Sequence, residues 1–328
     1  MPRPARDFDR ILEIARLHYE DRLPQAEIAH RLSISVATVS RHLQQAHVLG
    51  FVEMRVVSSA YRSFAIEAEL VRRLGLSSAC VVQSANSTAA TERVLAEAAA
   101  RKLDEFISPG AVIGVSNGRT LAAVVSEARR SRTNDIDIVT LIGGIGRAES
   151  FSQTGEICRT LADKLGGHAW ILPVPAVVES ANIADALRSS FAAAEVFSVV
   201  SRLSVAAFGV GAMTPGSSTF QHGLFDADHL DTMVARGAAG SICARFYDHD
   251  GAMLHSDLDS RTMSINLAEL AAVPTKFGVA FGQDKVSAIF AAIRGGFINH
   301  LATDSETAET LIALTSSRKV RSQSGHRA

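Results

Sequence analysis

GVSNGRTLAAVV, residues 114–125, is the stretch whose reading decides the fold. It is entered by the apolar, β-branched run Ala111-Val112-Ile113, passes through a turn framed by Gly114 and Gly118, and leaves as an alanine- and valine-rich pattern at helical spacing. Strand, glycine turn and helix form the repeating unit of a parallel α/β sheet. The turn is also where backbone N–H groups at a helix start face anions. Ser116 and Thr120 add hydroxyl donors, Asn117 an amide, and Arg119 a guanidinium that can pair with a phosphate, while Gly118 permits close backbone approach. The turn matches neither G-x-x-x-x-G-K-[ST] nor G-x-G-x-x-G. It therefore suits an anionic small molecule without naming one, and a plain strand-to-helix packing turn would read the same way.

Working outward, the same alternation fills the chain from about residue 76. Strands are expected at 79–84, 111–116, 136–144, 168–176, 205–213, 241–248, 276–282 and 297–304. Helices are expected at 88–106, 118–129, 153–166, 190–200, 223–235, 284–294 and 305–314. Continuous apolar strands with helices between them predict a Rossmann-like parallel sheet covered on both faces. Ligands of such sheets lie at the carboxyl ends of the strands. That rule gathers Ser116–Thr120, Gly143-Gly144 and Gly282–Lys285 into one crevice. Lys285 is one of only five lysines against twenty-eight arginines, and it follows FGQD at a strand-to-helix turn. Its ammonium could meet a phosphate as a point charge, or could be a plain first-turn lysine.

The first sixty residues read differently. Ile11, Leu12, Ile14, Ala15 and Leu17 to Tyr19 fall mostly at helical spacing, and a second short helix is expected from Pro24 to Leu32. After the tight Ser33-Ile34-Ser35 turn, Ser35 caps a third helix beginning at Val36. This is a helix-turn-helix pattern, with Ile28, Ala29, Ile34, Val39 and Leu43 closing its core. Ala37, Thr38, Ser40, Arg41 and His42 are left for the outer face, where they can reach base edges or phosphates of duplex DNA. Gln25, at the start of the second helix, is placed to meet a phosphate. FVEMRVV (51–57) alternates as a wing strand would. Residues 1–62 hold nine arginines and seven acids, so the basic signal is modest, but no acid occurs from Ser35 to His47.

Composition narrows the remaining classes. The 328 residues are 47% hydrophobic and 20% charged with a formal net charge of −1, so nucleic-acid binding must come from local placement of charge. Cys80, Cys158 and Cys243 have no metal or disulfide spacing and read as buried thiols. No stretch approaches a membrane span of about 18–20 apolar residues, and the first nineteen residues lack the apolar core of a secretory signal; a cytoplasmic protein is expected. No cofactor or metal is expected. Catalytic candidates are few. Asp257 and Asp259 would share one face of an extended strand, with His222 and Lys285 as possible proton carriers, but polar loops often produce such pairs. YDHDG (247–251) lacks the ligand set of a calcium loop and reads as a hairpin turn.

The chain resembles the SorC-type sugar-binding transcriptional regulators, related in naming to the DeoR group. The resemblance rests on HYEDRLPQAEIAHRLSISVATVSRHLQQA at the N-terminus, GVSNGRTL, LPVPAVVES (172–180), AAGSICARFYDHDG (238–251), VAFGQDK (279–285) and GGFINHLATDSETA (295–308), in that order along nearly the whole chain. It implies a DNA-binding domain joined to an effector domain resembling sugar-phosphate isomerases and deaminases; with the residue patterns, the expected division is a winged helix-turn-helix domain (1–57), a linker and association helix (58–75) and the effector domain (76–316). A disordered tail is expected at 317–328. It also implies a homo-oligomer, usually a tetramer, that binds operator DNA with an affinity changed by a sugar-derived, often phosphorylated, effector; serine at 241, where the family has an acid, points instead to a polyol or its phosphate. Ser116, Gly118, Arg119 and Thr120 match the loop that holds effector phosphate, and Lys285 the lysine facing it. Two positions depart from the family pattern: Asn117 stands where tryptophan is common, and Ser241 where an acid meets sugar hydroxyls. The reading from another class is a sugar-phosphate isomerase or deaminase with an accessory helical domain.

Overall fold

The computed structural model describes residues 4–52, 62–131, 135–145, 153–217 and 227–324, with the backbone alone at 4–7, 227 and 316–324. The chain divides into two compact units, Met1–Ala60 and Tyr61–Ala328. In the first, α1 (Pro4–Tyr19), α2 (Gln25–Arg31) and α3 (Val36–Val48) pack around Ile14, Leu17, Ile28, Ala29, Val39 and Leu43. Ser35 caps α3, its Oγ accepting from Thr38 N at 3.1 Å, which satisfies one of the donors a helix start leaves open. Phe51 and Val52 both donate their N–H to Ala46 O and so close the end of α3 rather than start a strand. The rest of the expected wing, 53–57, lies outside the described residues.

The second unit begins with α4 (Phe64–Leu74) and continues β1 (Ser78–Val82), α5 (Thr88–Asp104), β2 (Val112–Val115), α6 (Arg119–Glu127), β3 (Asp137–Thr140), α7 (Thr154–Leu165), β4 (His168–Trp170), α8 (Ala181–Arg188) and α9 (Phe191–Val200). Then come β5 (Val205–Phe208), β6 (Gly211–Ala212), α10 (Ala227–Ala235), β7 (Ala238–Ile242), β8 (Arg245–Asp248), α11 (Asp257–Arg261) and α12 (Leu267–Ala272). It closes with β9 (Thr275–Val279), a 3-10 turn at Gln283–Lys285, α13 (Val286–Arg294), β10 (His300–Asp304) and α14 (Ser305–Ser324).

Seven strands form one parallel sheet in the order β1-β10-β9-β5-β2-β3-β4, and β6-β7-β8 form a small antiparallel sheet. Side chains alternate between two cores, Ala79 and Val81 facing one and Cys80 and Val82 the other. Gly114 is required in β2, because a Cβ there would lie 2.4 Å from Leu141 Cδ2. From β2 the chain moves outward to β3 and β4, returns to β5 on the other side, and continues through β9 and β10 toward β1. The order therefore reverses between β2 and β5, which is where ligand crevices of such sheets open.

Several expected elements change. The apolar run 205–213 is two strands in different sheets, and 241–248 holds a turn at Cys243-Ala244, both with positive φ, between antiparallel β7 and β8. Asp257 and Asp259 lie on the helix α11 instead of an extended strand; Asp259 accepts from Ser256 N at 2.8 Å and pairs with Arg245. The Phe64–Leu74 helix is no free-standing link: it packs on β1 and α14 with Leu70 fully buried. Helix α14 runs to Ser324, taking in most of the stretch expected to be a disordered tail. The three cysteines are buried and free, and burial pushes the Cys80 thiol up to about 11. YDHDG forms the expected turn, with Asp248 Oδ1 accepting from Asp250 N and Ala252 N.

Candidate effector crevice and helical recognition face

A crevice of about 590 Å³ opens at the carboxyl ends of β2, β5, β9, β10 and β1. Its first wall is the turn from β2 into α6. There Gly118, with φ of 126°, caps α6 in a conformation side chains with a Cβ rarely adopt, and an added Cβ would meet no neighbouring atom. The space beside that backbone is thus open to a ligand. Ser116 is buried; its Oγ donates to Asn117 O at 3.0 Å and accepts from Gly209 N at 3.4 Å, tying the turn to the loop after β5. Thr120 Oγ1 donates to Glu92 Oε1 at 3.2 Å. Arg119 is exposed at the rim.

The second wall is the loop after β9. Gly282, with φ of 107°, donates its N–H to Thr307 Oγ1 at 2.8 Å and turns the chain into Gln283–Lys285 and α13. Lys285 is half-buried, and its ammonium makes no hydrogen bond to a described residue. Burial draws its pKa below the ordinary lysine value, opposed by the carboxylates Asp284 and Glu92 and reinforced by Arg119. Ser241, buried on β7 opposite Gly211, adds a hydroxyl-bearing residue to the crevice. Helices α5, α6, α13 and α14 all start near this space, so their N-terminal dipole ends and the Lys285 and Arg119 cations favour a negative group.

Two walls were not legible in the sequence. Ser84–Thr88 and Glu92 come from the end of β1 and the start of α5, and Asp304 and Glu306 from β10 and α14. Ser84 Oγ donates to Asp304 Oδ2 at 2.8 Å, and Ser84 N donates to Ser305 Oγ at 3.1 Å. The carboxylates Glu92, Asp284, Asp304 and Glu306 supply acceptors of the kind that hold hydroxyl groups. Gly143 and Gly144, expected in the crevice, do not join it. β3 lies on the far side of β2, and Gly144 N donates to Val174 O while Gly143 is pressed against Val174 and Pro175. Gly144 lines a separate cavity with Thr140 and Gln153.

In the first unit, Ser35, Ala37, Ser40 and Arg41 are exposed on the amino-terminal half of α3, with Thr38 and Gln25 half-buried beside them. His42 is not among them. It is 9% exposed, and its Nδ1 bonds to Thr38 O at 2.7 Å, because Val39, His42, Leu43 and Ala46 form the i, i+3, i+4, i+7 buried stripe of α3.

Residues 58–313 match the family model described as "Putative sugar-binding domain". The sorbitol operon regulator of Klebsiella pneumoniae is 31% identical over 310 residues, which is 93% of this chain and 98% of the relative. The chain is a SorC-family transcriptional regulator. Its likeness extends to the deoxyribonucleoside regulator of Bacillus subtilis, 29% identical over 92% of this chain and 96% of that relative. The crystal structure of the full-length Klebsiella pneumoniae sorbitol operon regulator SorC superimposes with a TM-score of 0.71 at 30% identity, covering 93% of this chain and 99% of that one. The mixed α/β architecture with its parallel sheet is therefore the family's own.

Proposed function

We propose that this regulator binds operator DNA through a helix-turn-helix made by α2 and α3, and that a small sugar, polyol or sugar phosphate held in the crevice sets its affinity. Ser35, Ala37, Thr38, Ser40 and Arg41 enter the major groove and Gln25 meets a phosphate. Ser116, Asn117, Gly118, Arg119, Thr120, Gly282 and Lys285 hold the ligand's anionic group, while Ser241 meets its hydroxyls. The reading takes the molecule as a cytoplasmic homo-oligomer, a tetramer as the family resemblance implies, controlling a carbohydrate or polyol operon without catalysing a reaction. No helix among the described residues is long and apolar enough to cross a membrane.

The observation that carries this reading is Lys285. An ammonium that gives up water by partial burial and gains no hydrogen-bond acceptor among the described residues is held ready for an anion from solution. Fluorescence anisotropy on labelled DNA from upstream of the protein's own gene tests it. At fixed salt, saturable sequence-dependent binding should shift with one member of a panel of sugars, polyols and their phosphates. Binding no better than to random DNA, together with turnover of a sugar phosphate, would replace this reading with an isomerase or deaminase. Within the panel, Ser241→Asp should change the preference among hydroxylated compounds by about fivefold, the worth of one hydrogen bond; unchanged selectivity would remove Ser241 from the site.

A further inference from the structure

The chain enters the second unit at a clasp between the half-buried Arg62 and the buried Glu67. Arg62 is the first described residue after the segment that leads from α3. Its Nε and Nη2 donate to Glu67 Oε1 and Oε2 at 2.8 and 2.7 Å, a bidentate pair, and its guanidinium lies 4.9 Å from the centre of the Phe64 ring. Glu67 is 8% exposed, yet it sits on the first turn of α4 rather than in any ligand pocket. Its Oε1 also accepts from Val81 N at 2.9 Å, and Ser63 N donates to Val81 O at 2.9 Å. Arg62 bridges antiparallel to Val82. The incoming chain is thus stitched to β1, an edge strand of the sheet, along its open side.

Two residues beyond Val82, the same strand becomes the crevice wall. Ser84 is held to Asp304 and Ser305, Ala85 N donates to Thr91 Oγ1 at 2.9 Å, and Ser84 through Thr88 face the ligand space. One short strand, buried from Ala79 to Val82, therefore leads into the crevice wall at one end and holds the entry of the chain from the DNA-reading helices beside it. A buried carboxylate shared between a guanidinium and a backbone N–H has few ways to relax if that strand shifts. It must move with the strand or give up a bond whose loss is costly in a dry environment.

We propose that the Arg62–Glu67–Val81 clasp is the element that couples the crevice to the DNA-reading unit: a ligand that pulls on Ser84–Thr88 moves β1, and the clasp passes that movement to the chain leading back to residues 4–52. This deepens, and rests on, the crevice reading above. Arg62 and Glu67 are positioning residues; neither touches the ligand.

Hydrogen–deuterium exchange of the full-length protein, with and without inorganic phosphate, tests the coupling. Peptides covering 84–92 and 116–124 report the crevice, 62–67 and 78–82 the clasp, 4–52 the DNA-reading unit, and 205–208 the core as a control for folding. In the wild type, phosphate should slow exchange in both crevice peptides, in both clasp peptides and measurably within 4–52. In Glu67→Gln the crevice response should persist while the clasp response falls at least twofold and that of 4–52 is lost, with 205–208 unchanged. Arg62→Lys, which keeps the charge but not the two-pronged bond, should act in the same direction and serves if Glu67→Gln lowers protection at 205–208. Wild-type protection confined to the crevice peptides would overturn the clasp and leave the crevice reading standing. No protection at 84–92 or 116–124 would overturn both.

Discussion

The two units present the groups proposed for recognition in opposite ways. In the first, three helices close on a small core, and the groups we propose to meet DNA stand on an exposed helical face, as Ser40 and Arg41 do. In the second, the groups we propose to hold a ligand lie at the buried carboxyl ends of strands, and several are already tied down: Ser116 to Gly209 and Asn117, Thr120 to Glu92, Ser84 to Asp304. A long duplex with regular phosphates can be met by exposed side chains that reach outward. A small molecule offers few contacts, so fixed donors and a partly dehydrated cation must supply the affinity. The two sites should therefore fail independently when mutated.

The largest separation is expected from Lys285→Met. Removing a charge-assisted contact of about 1.5–3 kcal/mol should weaken binding of the responding anionic compound about 10- to 100-fold by calorimetry. DNA affinity without that compound should stay as in the wild type. Arg41→Ala should do the converse, lowering DNA affinity about 5- to 100-fold and reducing the slope of log K against log salt by about one if Arg41 meets a phosphate. Ligand affinity should not move. A loss of both activities in either variant would merge the two regions into one.

A smaller effect distinguishes the stabilities. Ser35→Ala removes the cap of α3 and should cost the first unit about 1 kcal/mol, read as a lower midpoint in the melting of that unit alone. pH gives the finest test. The Lys285 pKa is lowered by burial, so between that value and the ordinary lysine value the unfolded chain binds the extra proton. Lys285 should therefore contribute stability that grows as pH rises through this window, against the opposite slope of the buried cysteine thiols. A bound anion favours the charged ammonium, so anion affinity should fall as pH rises through the lowered pKa, with proton uptake on binding. Lys285→Met should remove the Lys285 share of the stability slope, leaving that of Lys276 and the cysteines, and should abolish the fall in anion affinity.

The same contrast explains what the sequence made legible. Periodicity exposed α1 to α3 and the Ser35 cap because those features are set by residues within a turn or two of one another. His42 was misplaced although the 39, 42, 43, 46 spacing carried the signal; its polarity outweighed its position. In the second unit the turns at Gly118 and Gly282 could be read because each is local, their glycines answering to φ values of 126° and 107°. Strand order is not local. Nothing near Ser84 or Glu92 says that β1 pairs with β10, so the carboxylate-bearing walls stayed hidden. The same ignorance put Gly143-Gly144 in the crevice, when β3 lies beyond β2 and packs its following turn onto Val174 and Pro175. The helices α8, α11 and α12 were missed: each spans eight residues or fewer, and unlike the seven-residue α2 none sits between neighbours whose helix-turn-helix pattern announces it.

The most direct test of a DNA reader governed by a separate anion-holding crevice is a single anisotropy titration run on two proteins. Wild type and Lys285→Met are titrated onto the upstream DNA fragment at one salt concentration, each with and without the compound that shifts the wild type. Equal affinities are expected for the two proteins without the compound, and a shift in the wild type only. An equal shift in both proteins would contradict this, because the ligand would then act somewhere other than the Lys285 crevice.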